Sequence, residues 1–332
     1  MHRTGWQALS RIGTSAVAFC AVTLLVFMAF YAAPTQQPFS RRATQHVVLD
    51  RSFRGYLHYL WRFVSHGDLG RSLSNREAVT TRLFRALPVT LSVLAGGLVI
   101  SLFFALVPLL RPRARLDRAF ALFALAGVSV HPVWVSLVSS WLFGAHWHLV
   151  ADQGYCGITS AATGCSGVSH WASHMVLPWA VYGLATGAYF ALAVRVLVRH
   201  ELDQDYVRWA RAKGLGDARI MRAHVLRNIT PQLLGLFVTN VGFGLGSLLF
   251  IEQVFGLPGL GNLFLVALRQ HDVPVTAGIV MLATTSVLVL TLLVDLIALA
   301  LEPRARLRRR DRLADHEHVE QLRGELGIAR VR

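Results

Sequence analysis

The residues best suited to chemistry are few and scattered. His170 and His174 stand at i, i+4 spacing, which on a helix would turn two imidazoles toward one metal ion, and His146 and His148 precede them. No carboxylate or cysteine is spaced to complete a tetrahedral set with them. Cys156 and Cys165 are flanked by Gly154, Gly157, Gly164 and Gly167, so the backbone can bring their Cα atoms within the roughly 4.4–6.8 Å of a disulfide. A pair of free thiols, or a metal site shared with His170 and His174, is the alternative. Glu252 and Asp295 border long apolar runs. A charge at the bilayer centre costs about 2.5–3.5 kcal/mol, and less near an interface, so these two read as structural or conformational groups rather than substrate contacts. No nucleophile–base pair recurs on adjacent runs, and no GxxxxGK[ST] loop is present with which to bind and split ATP.

The surroundings of these residues explain the shortage. Of 332 residues, 54% are hydrophobic and 15% charged, with mean hydropathy +0.48, whereas soluble domains carry about a quarter charged residues. Residues 12–33, 87–110, 119–151, 175–194, 229–251 and 274–294 contain no Asp, Glu, Lys or Arg. Each is long enough for the ~18 residues of a bilayer span. Each must be helical, because hydrocarbon offers no partner for backbone N–H and C=O groups. The expected fold class is an all-α polytopic membrane protein with six transmembrane helices. The first run is longer than the 7–15 residues of a signal-peptide core and is read as a retained span.

The formal net charge of +15 would suit nucleic acid, but its placement argues against that partner. Arg111, Arg113, Arg115 and Arg118 crowd one short loop; Arg199, Arg208, Arg211, Lys213, Arg219, Arg222 and Arg227 occupy another; six arginines between 304 and 312 fill the tail. Residues 144–174 have no Lys or Arg, and 252–273 only Arg269. Basic loops stay cytoplasmic, which places both termini inside and the Cys156–Cys165 loop outside, where thiols can be oxidised. The loop 34–86 carries nine arginines yet falls outside by parity. It is near the ~60-residue length above which loops translocate regardless of charge.

The expected organisation is an N-terminal segment with the first span (1–33), an extracytoplasmic segment (34–86), a core of five spans (87–301) and a basic cytoplasmic tail (302–332). Within 34–86, Phe53, Tyr56, Tyr59, Leu60 and Phe63 recur at i, i+3, i+4 spacings. They predict an amphipathic helix, on the membrane, on a partner or against the chain's own spans. Between the fourth and fifth spans, 200–212 reads as a helix broken by Gly214 and Gly216, with Asp217 as N-cap of a second helix over 218–226. The apolar side of that second helix, Ile220, Ala223 and Leu226, needs cover, and a soluble partner could supply it. Gly242, Gly244 and Gly246 predict a close helix approach by the fifth span.

Several stretches in this order resemble one family. They are Gly67-Asp68-Leu69-Gly70 with Ser72; Asp205-Tyr206-Val207-Arg208-Trp209-Ala210-Arg211-Ala212-Lys213-Gly214 followed by His224-Val225-Leu226-Arg227-Asn228; Glu252 with Val254-Phe255-Gly256-Leu257-Pro258-Gly259-Leu260-Gly261; and Asp295-Leu296 with Glu302-Pro303-Arg304. Together they resemble the inner-membrane permeases of oligopeptide/dipeptide-type ABC importers, from Leu49 to Arg304. The chain departs from the pattern at Ala33-Pro34-Thr35, where a Pro-Gly-Asp-Pro-like stretch is usual, and at Arg208 and Trp209, which replace the opening residues of the EAA motif.

The resemblance implies the type I ABC importer permease fold, with residues 199–228 as the EAA-type loop that couples to the ATPase. Its coupling residues would be Tyr206, Ala210, Lys213, Gly214, His224, Leu226 and Asn228. Glu252, Pro258, Gly259, Gly261 and Asp295 would be gating or structural. The implied partners are a second homologous permease subunit, two ABC ATPase subunits, an extracytoplasmic solute-binding protein and membrane lipid. The implied location is the plasma (cytoplasmic) membrane. The chain itself would bind no cofactor and be no enzyme, ATP and Mg being used by the ATPases. Peptide is the implied cargo, with nickel or another small solute as alternative. A secondary transporter would show buried ionisable residues and half-repeats, and a polytopic enzyme a catalytic set; neither is evident in the sequence.

Overall fold

The computed structural model describes residues 2–28, 53–110, 122, 124, 125, 127–148, 154–157 and 167–301. The arginine loop at 111–118, the tail beyond 301 and Cys165 lie outside the described residues. The helices are α1 (His2–Phe27), α2 (Phe53–His66), α3 (Val79–Leu110), α4 (Pro132–Ser139), α5 (Val168–Leu202), α6 (Asp205–Ala212), α7 (Asp217–Ile220), α8 (Leu226–Val254), α9 (Leu260–Arg269) and α10 (Val273–Leu301). Among the described residues, four helical stretches are long and apolar enough to cross a membrane, in α3, α5, α7–α8 and α10. The described apolar part of α1, Ile12–Phe27, is shorter.

Three apolar clusters stack along α3. Val79 and Leu83 at its start pack with Phe27, Tyr56, Leu69 and Met281. Val89 and Val93 pack with Tyr182, Leu248 and Ile251. Ala105, farther on, packs with Val198, Val207, Ile220 and Ile229. The bundle therefore has a hairpin end, formed by α6 and α7, and an opposite end, where α2, α9 and the start of α10 meet. Val17, Val99, Phe103 and Phe243 are exposed, a surface suited to lipid rather than water.

The tightest crossing joins α3 and α5. A Cβ on Gly183 would lie 2.8 Å from the Gly97 carbonyl oxygen, and one on Gly187 3.0 Å from the Ser101 Cα. Small residues four apart admit such an approach, and in lipid this close packing replaces the hydrophobic effect as the cohesive force. Of Gly242, Gly244 and Gly246, expected to do the same, one does. Gly242 and Gly246 face open space, and only Gly244 meets a neighbour, the ring of Tyr182.

Three other expectations change. The uncharged run 119–151 is not one helix. Its described part breaks at His131–Pro132, where the His131 ring caps α4 by accepting from the Val133 N–H at 3.3 Å, and beyond Ser139 it continues as π-helical turns, Ser140–His146. The helix expected over 200–212 is split, because α5 runs through Leu202 and α6 begins afresh at Asp205. The second hairpin helix is not separate either. α7 passes through a π turn, Met221–Val225, directly into α8. Gly216, not Asp217, is its N-cap residue.

α2 packs one face on α1. Tyr56 is buried, its hydroxyl donating to the Cys20 carbonyl at 3.0 Å and lying 2.9 Å from Thr23 Oγ1, and the Phe63 and Phe19 rings stack at 6.3 Å. Of the placements left open for this helix, packing on the chain's own spans describes this face. Leu57, Trp61 and Val64 on the other face are exposed.

Candidate functional site

The hairpin is built around one positive φ. Gly214 sits at φ +80°, a conformation costly for any residue with a Cβ, and its N–H bonds the Arg211 carbonyl at 2.9 Å as the chain reverses out of α6. Leu215 N–H then returns to the Ala210 carbonyl at 3.2 Å. Val207, Ala210, Ile220 and Val225 are all buried against α5 and α8. The chain's own bundle therefore buries Ile220 and half-buries Leu226, while Ala223 is left exposed, so a soluble partner is needed for only part of the apolar side of the second leg. The outward surface is Trp209, Lys213, Arg219, Arg222, Ala223 and His224.

Tyr206 and Asn228 converge on a residue that sequence reasoning missed. Glu201, at the end of α5, accepts from the Tyr206 hydroxyl at 2.8 Å and from Asn228 Nδ2 at 3.0 Å. One carboxylate so ties the end of α5 to the starts of α6 and α8. Burial, and then the Glu201 carboxylate, push the Tyr206 hydroxyl up to about 12, so it remains a proton donor at any physiological pH. His224 lies beside Tyr206, ring centroids 6.4 Å apart, and Leu226 is half-buried behind them.

The opposite end holds Glu252, Gly259 and Gly261 in one knot. Glu252 is fully buried; its Oε1 accepts from Thr90 Oγ1 at 2.6 Å, and its Oε2 from the N–H groups of Gly261 at 2.7 Å and Asn262 at 3.2 Å. These are first-turn amides of α9, so Glu252 caps that helix from the end of α8. A Cβ on Gly259 would collide with the carboxylate, and one on Gly261 would lie 2.7 Å from the Leu249 Cα, so both glycines are required by space. Pro258 is exposed beside them. Asp295 is half-buried at the far end of α10 and is not brought to this knot.

A second buried carboxylate, Asp272, escaped the sequence reading. Its Oδ2 accepts from Ser72 Oγ at 2.5 Å and Ser74 Oγ at 3.0 Å, and faces Arg82 Nη1 at 3.4 Å; its Oδ1 accepts from the Leu73 N–H at 3.1 Å. It pins the loop after α2 to the turn between α9 and α10. α3 begins at Val79, ahead of the uncharged run, because Arg82 finds Asp272 and Arg85 finds Glu77. The described part of the cysteine loop joins the same end. Gly154 N–H bonds the Phe255 carbonyl at 2.9 Å, and His174 Nδ1 lies 3.1 Å from the Gly154 carbonyl. Cys156 is buried and disulfide-bonded, and Cys20 is a free thiol. His146 stacks on Trp141 and His170 is exposed. His148 is exposed as well, and among the described residues no three His, Cys, Asp or Glu side chains gather as a metal site.

One end of the bundle thus holds buried, capped carboxylates, and the other a glycine-turned hairpin continuous with a helix long and apolar enough to cross a membrane. The chain belongs to the family described as binding-protein-dependent transport system inner membrane component, which matches residues 97–307, and it has that family's all-α type I importer permease fold. It is therefore a multi-pass inner-membrane permease subunit. It is similar to the dipeptide transport system permease protein DppB of Escherichia coli (strain K12), at 27% identity over 332 residues, covering 90% of this chain and 98% of that one. A Brucella suis biovar 1 (strain 1330) protein, named provisionally as a peptide permease, is 30% identical over 256 residues, covering 75% of this chain and 78% of that one.

Proposed function

We propose that this chain is the peptide-translocating subunit of an ATP-driven importer and that the α6–α7 hairpin couples it to the ATPase. The observation that carries the coupling role is continuity: from Asp217 to Val254 the backbone runs as one helical stretch, so a push on the hairpin is a push on a spanning helix. A second permease subunit, two ATPase subunits using ATP and Mg, and an extracytoplasmic binding protein complete the assembly. The peptide cargo rests on the names of the relatives. Tyr206, Ala210, Lys213, Gly214, His224, Leu226 and Asn228 shape the coupling element. Glu252, Pro258, Gly259, Gly261 and Asp295 hold conformation rather than contact cargo.

Both termini are cytoplasmic in this reading. It is supported by the gathering of residues 67–78, 154–157 and 255–272 at one end and the hairpin at the other, since parity puts those three segments on one side of the membrane. Cys156 pairs with Cys165 on the extracytoplasmic face. Growth of a deletion strain on defined dipeptides tests the function. The wild-type chain restores growth, while Gly214→Pro, which disrupts the turn, inserts normally but gives no uptake and no substrate-stimulated ATPase. Unchanged uptake with the Pro variant would refute the coupling role. Failure of the wild-type chain to restore any peptide uptake would refute the cargo.

A further inference from the structure

We propose that Trp209 is the anchor by which this permease selects its own ATPase, entering an apolar slot whose rim is acidic. The proposal rests on the reading of the hairpin as the ATPase-docking element. In α6 the side chains of Val207 and Ala210 turn inward, at 0% and 8% exposure, whereas Trp209 between them is 70% exposed. Trp buries a large apolar area at small entropic cost, and Trp and Arg dominate the hot spots of protein interfaces. Lys213 stands one turn from Trp209 on the same helical face, and Asp205 one turn to the other side.

The charge around the indole says what its socket must be. Between Asp205 and Arg222 there are five cations against two carboxylates. Arg208 lies 3.6 Å from Asp205 and Arg211 donates to Asp217 at 3.1 Å, which uses both carboxylates. Lys213, Arg219 and Arg222 have no carboxylate partner among the described residues and are exposed. A complementary surface therefore places Asp or Glu around an aromatic-sized slot. An anionic lipid surface would also attract these cations. The ATPase is favoured because the hairpin is read as its docking element, and lipid is the outcome that the vesicle arm of the test reports.

The test uses the permease pair in lipid nanodiscs and its purified ATPase subunits, with binding followed by interferometry. Trp209→Ala is expected to weaken ATPase binding about 30-fold or more, the loss of one hot spot, with no change in thermal midpoint because the side chain is exposed. Trp209→Phe recovers part of the affinity. Lys213→Glu with Arg219→Glu is expected to slow association and remove its salt dependence. If Trp209→Ala binds like wild type while Gly214→Pro does not, the anchor is refuted and the docking reading stands. If neither variant loses binding, the docking reading falls as well. If Trp209→Ala instead weakens binding only to vesicles of phosphatidylglycerol, the partner is lipid and the proposal is overturned.

Discussion

Glu252 and Asp272 at one end of the bundle, and Asp205 and Asp217 at the other, are the same chemical group under opposite conditions. The first two are buried, and both oxygens of each accept hydrogen bonds: Glu252 from the distant Thr90 and from the start of α9, Asp272 from the distant Ser72, Ser74 and Leu73. The second two are exposed, and each meets one nearby arginine. In low dielectric a carboxylate with all its acceptors used fixes backbone position, because breaking any bond leaves a buried donor unmet. At the surface the same group mostly trims the local charge. The Glu252 end is therefore held as one piece, and the hairpin end keeps an outward face with spare cations.

The largest effect that could break this comparison is at Glu252. Glu252→Ala orphans the Thr90 hydroxyl and two amides of α9 at about 1–3 kcal/mol each. Its thermal midpoint in detergent should fall on the order of 10 °C. Gly259→Ala, whose Cβ would meet the same carboxylate, should cost about 1–3 kcal/mol by overpacking. A midpoint within a degree of wild type for both would show that the cap holds nothing.

Asp272→Asn comes next. It keeps the shape but removes one acceptor oxygen and the charge facing Arg82, itself only 15% exposed, for an expected loss of about 1–3 kcal/mol. Asp205→Asn and Asp217→Asn should shift stability by less than about 1 kcal/mol. Equal midpoint losses across these three variants would erase the distinction between the ends. Ala210→Leu sharpens it from the other side. Ala210 is buried against the chain's own helices, so added bulk should cost about 1–3 kcal/mol of stability and lower the midpoint accordingly. Lost uptake in that variant would report the hairpin's seat rather than a partner's contact.

The long spans were legible because hydrocarbon permits so little else: an uncharged run of twenty residues has to be a helix. The break at His131–Pro132 was legible only as a proline kink, since both residues are uncharged and only the missing proline N–H and the capping ring mark it. Gly214 announced the turn. The continuity of α7 with α8 stayed hidden, because Arg219, Arg222 and Arg227 end the apolar run without ending the helix. Glu252 stood out beside an apolar run, but its partner Thr90 is 162 residues away. Asp272, with Ser72 200 residues distant, had no local pattern to betray it. Short-range chemistry was readable, and carboxylates satisfied across the fold were not.

Asp68 lies between the two conditions. Its side chain is 43% exposed beside an Arg62 at 44%, and it also accepts from the Gly70 N–H at 2.8 Å. The Arg62 hydrogen bond first, and the Gly70 amide second, hold the Asp68 carboxyl below its usual 3.8. A folded value lowered in this way contributes stability above the unfolded value and loses it as pH falls through the folded one. Nothing should change from about pH 8 to about pH 5, and the loop 67–78 should loosen only below about pH 3.8. Solvent screening keeps the contribution under about 1 kcal/mol. Asp68→Asn should therefore lower the midpoint by no more than a few degrees, and added salt should shrink the difference. Amide hydrogen exchange over 67–78 should be faster in the variant than in wild type at neutral pH. A loss as large as that of Asp272→Asn would mean that half-exposed carboxylates hold this end as firmly as buried ones, and the contrast between burial and exposure would fail.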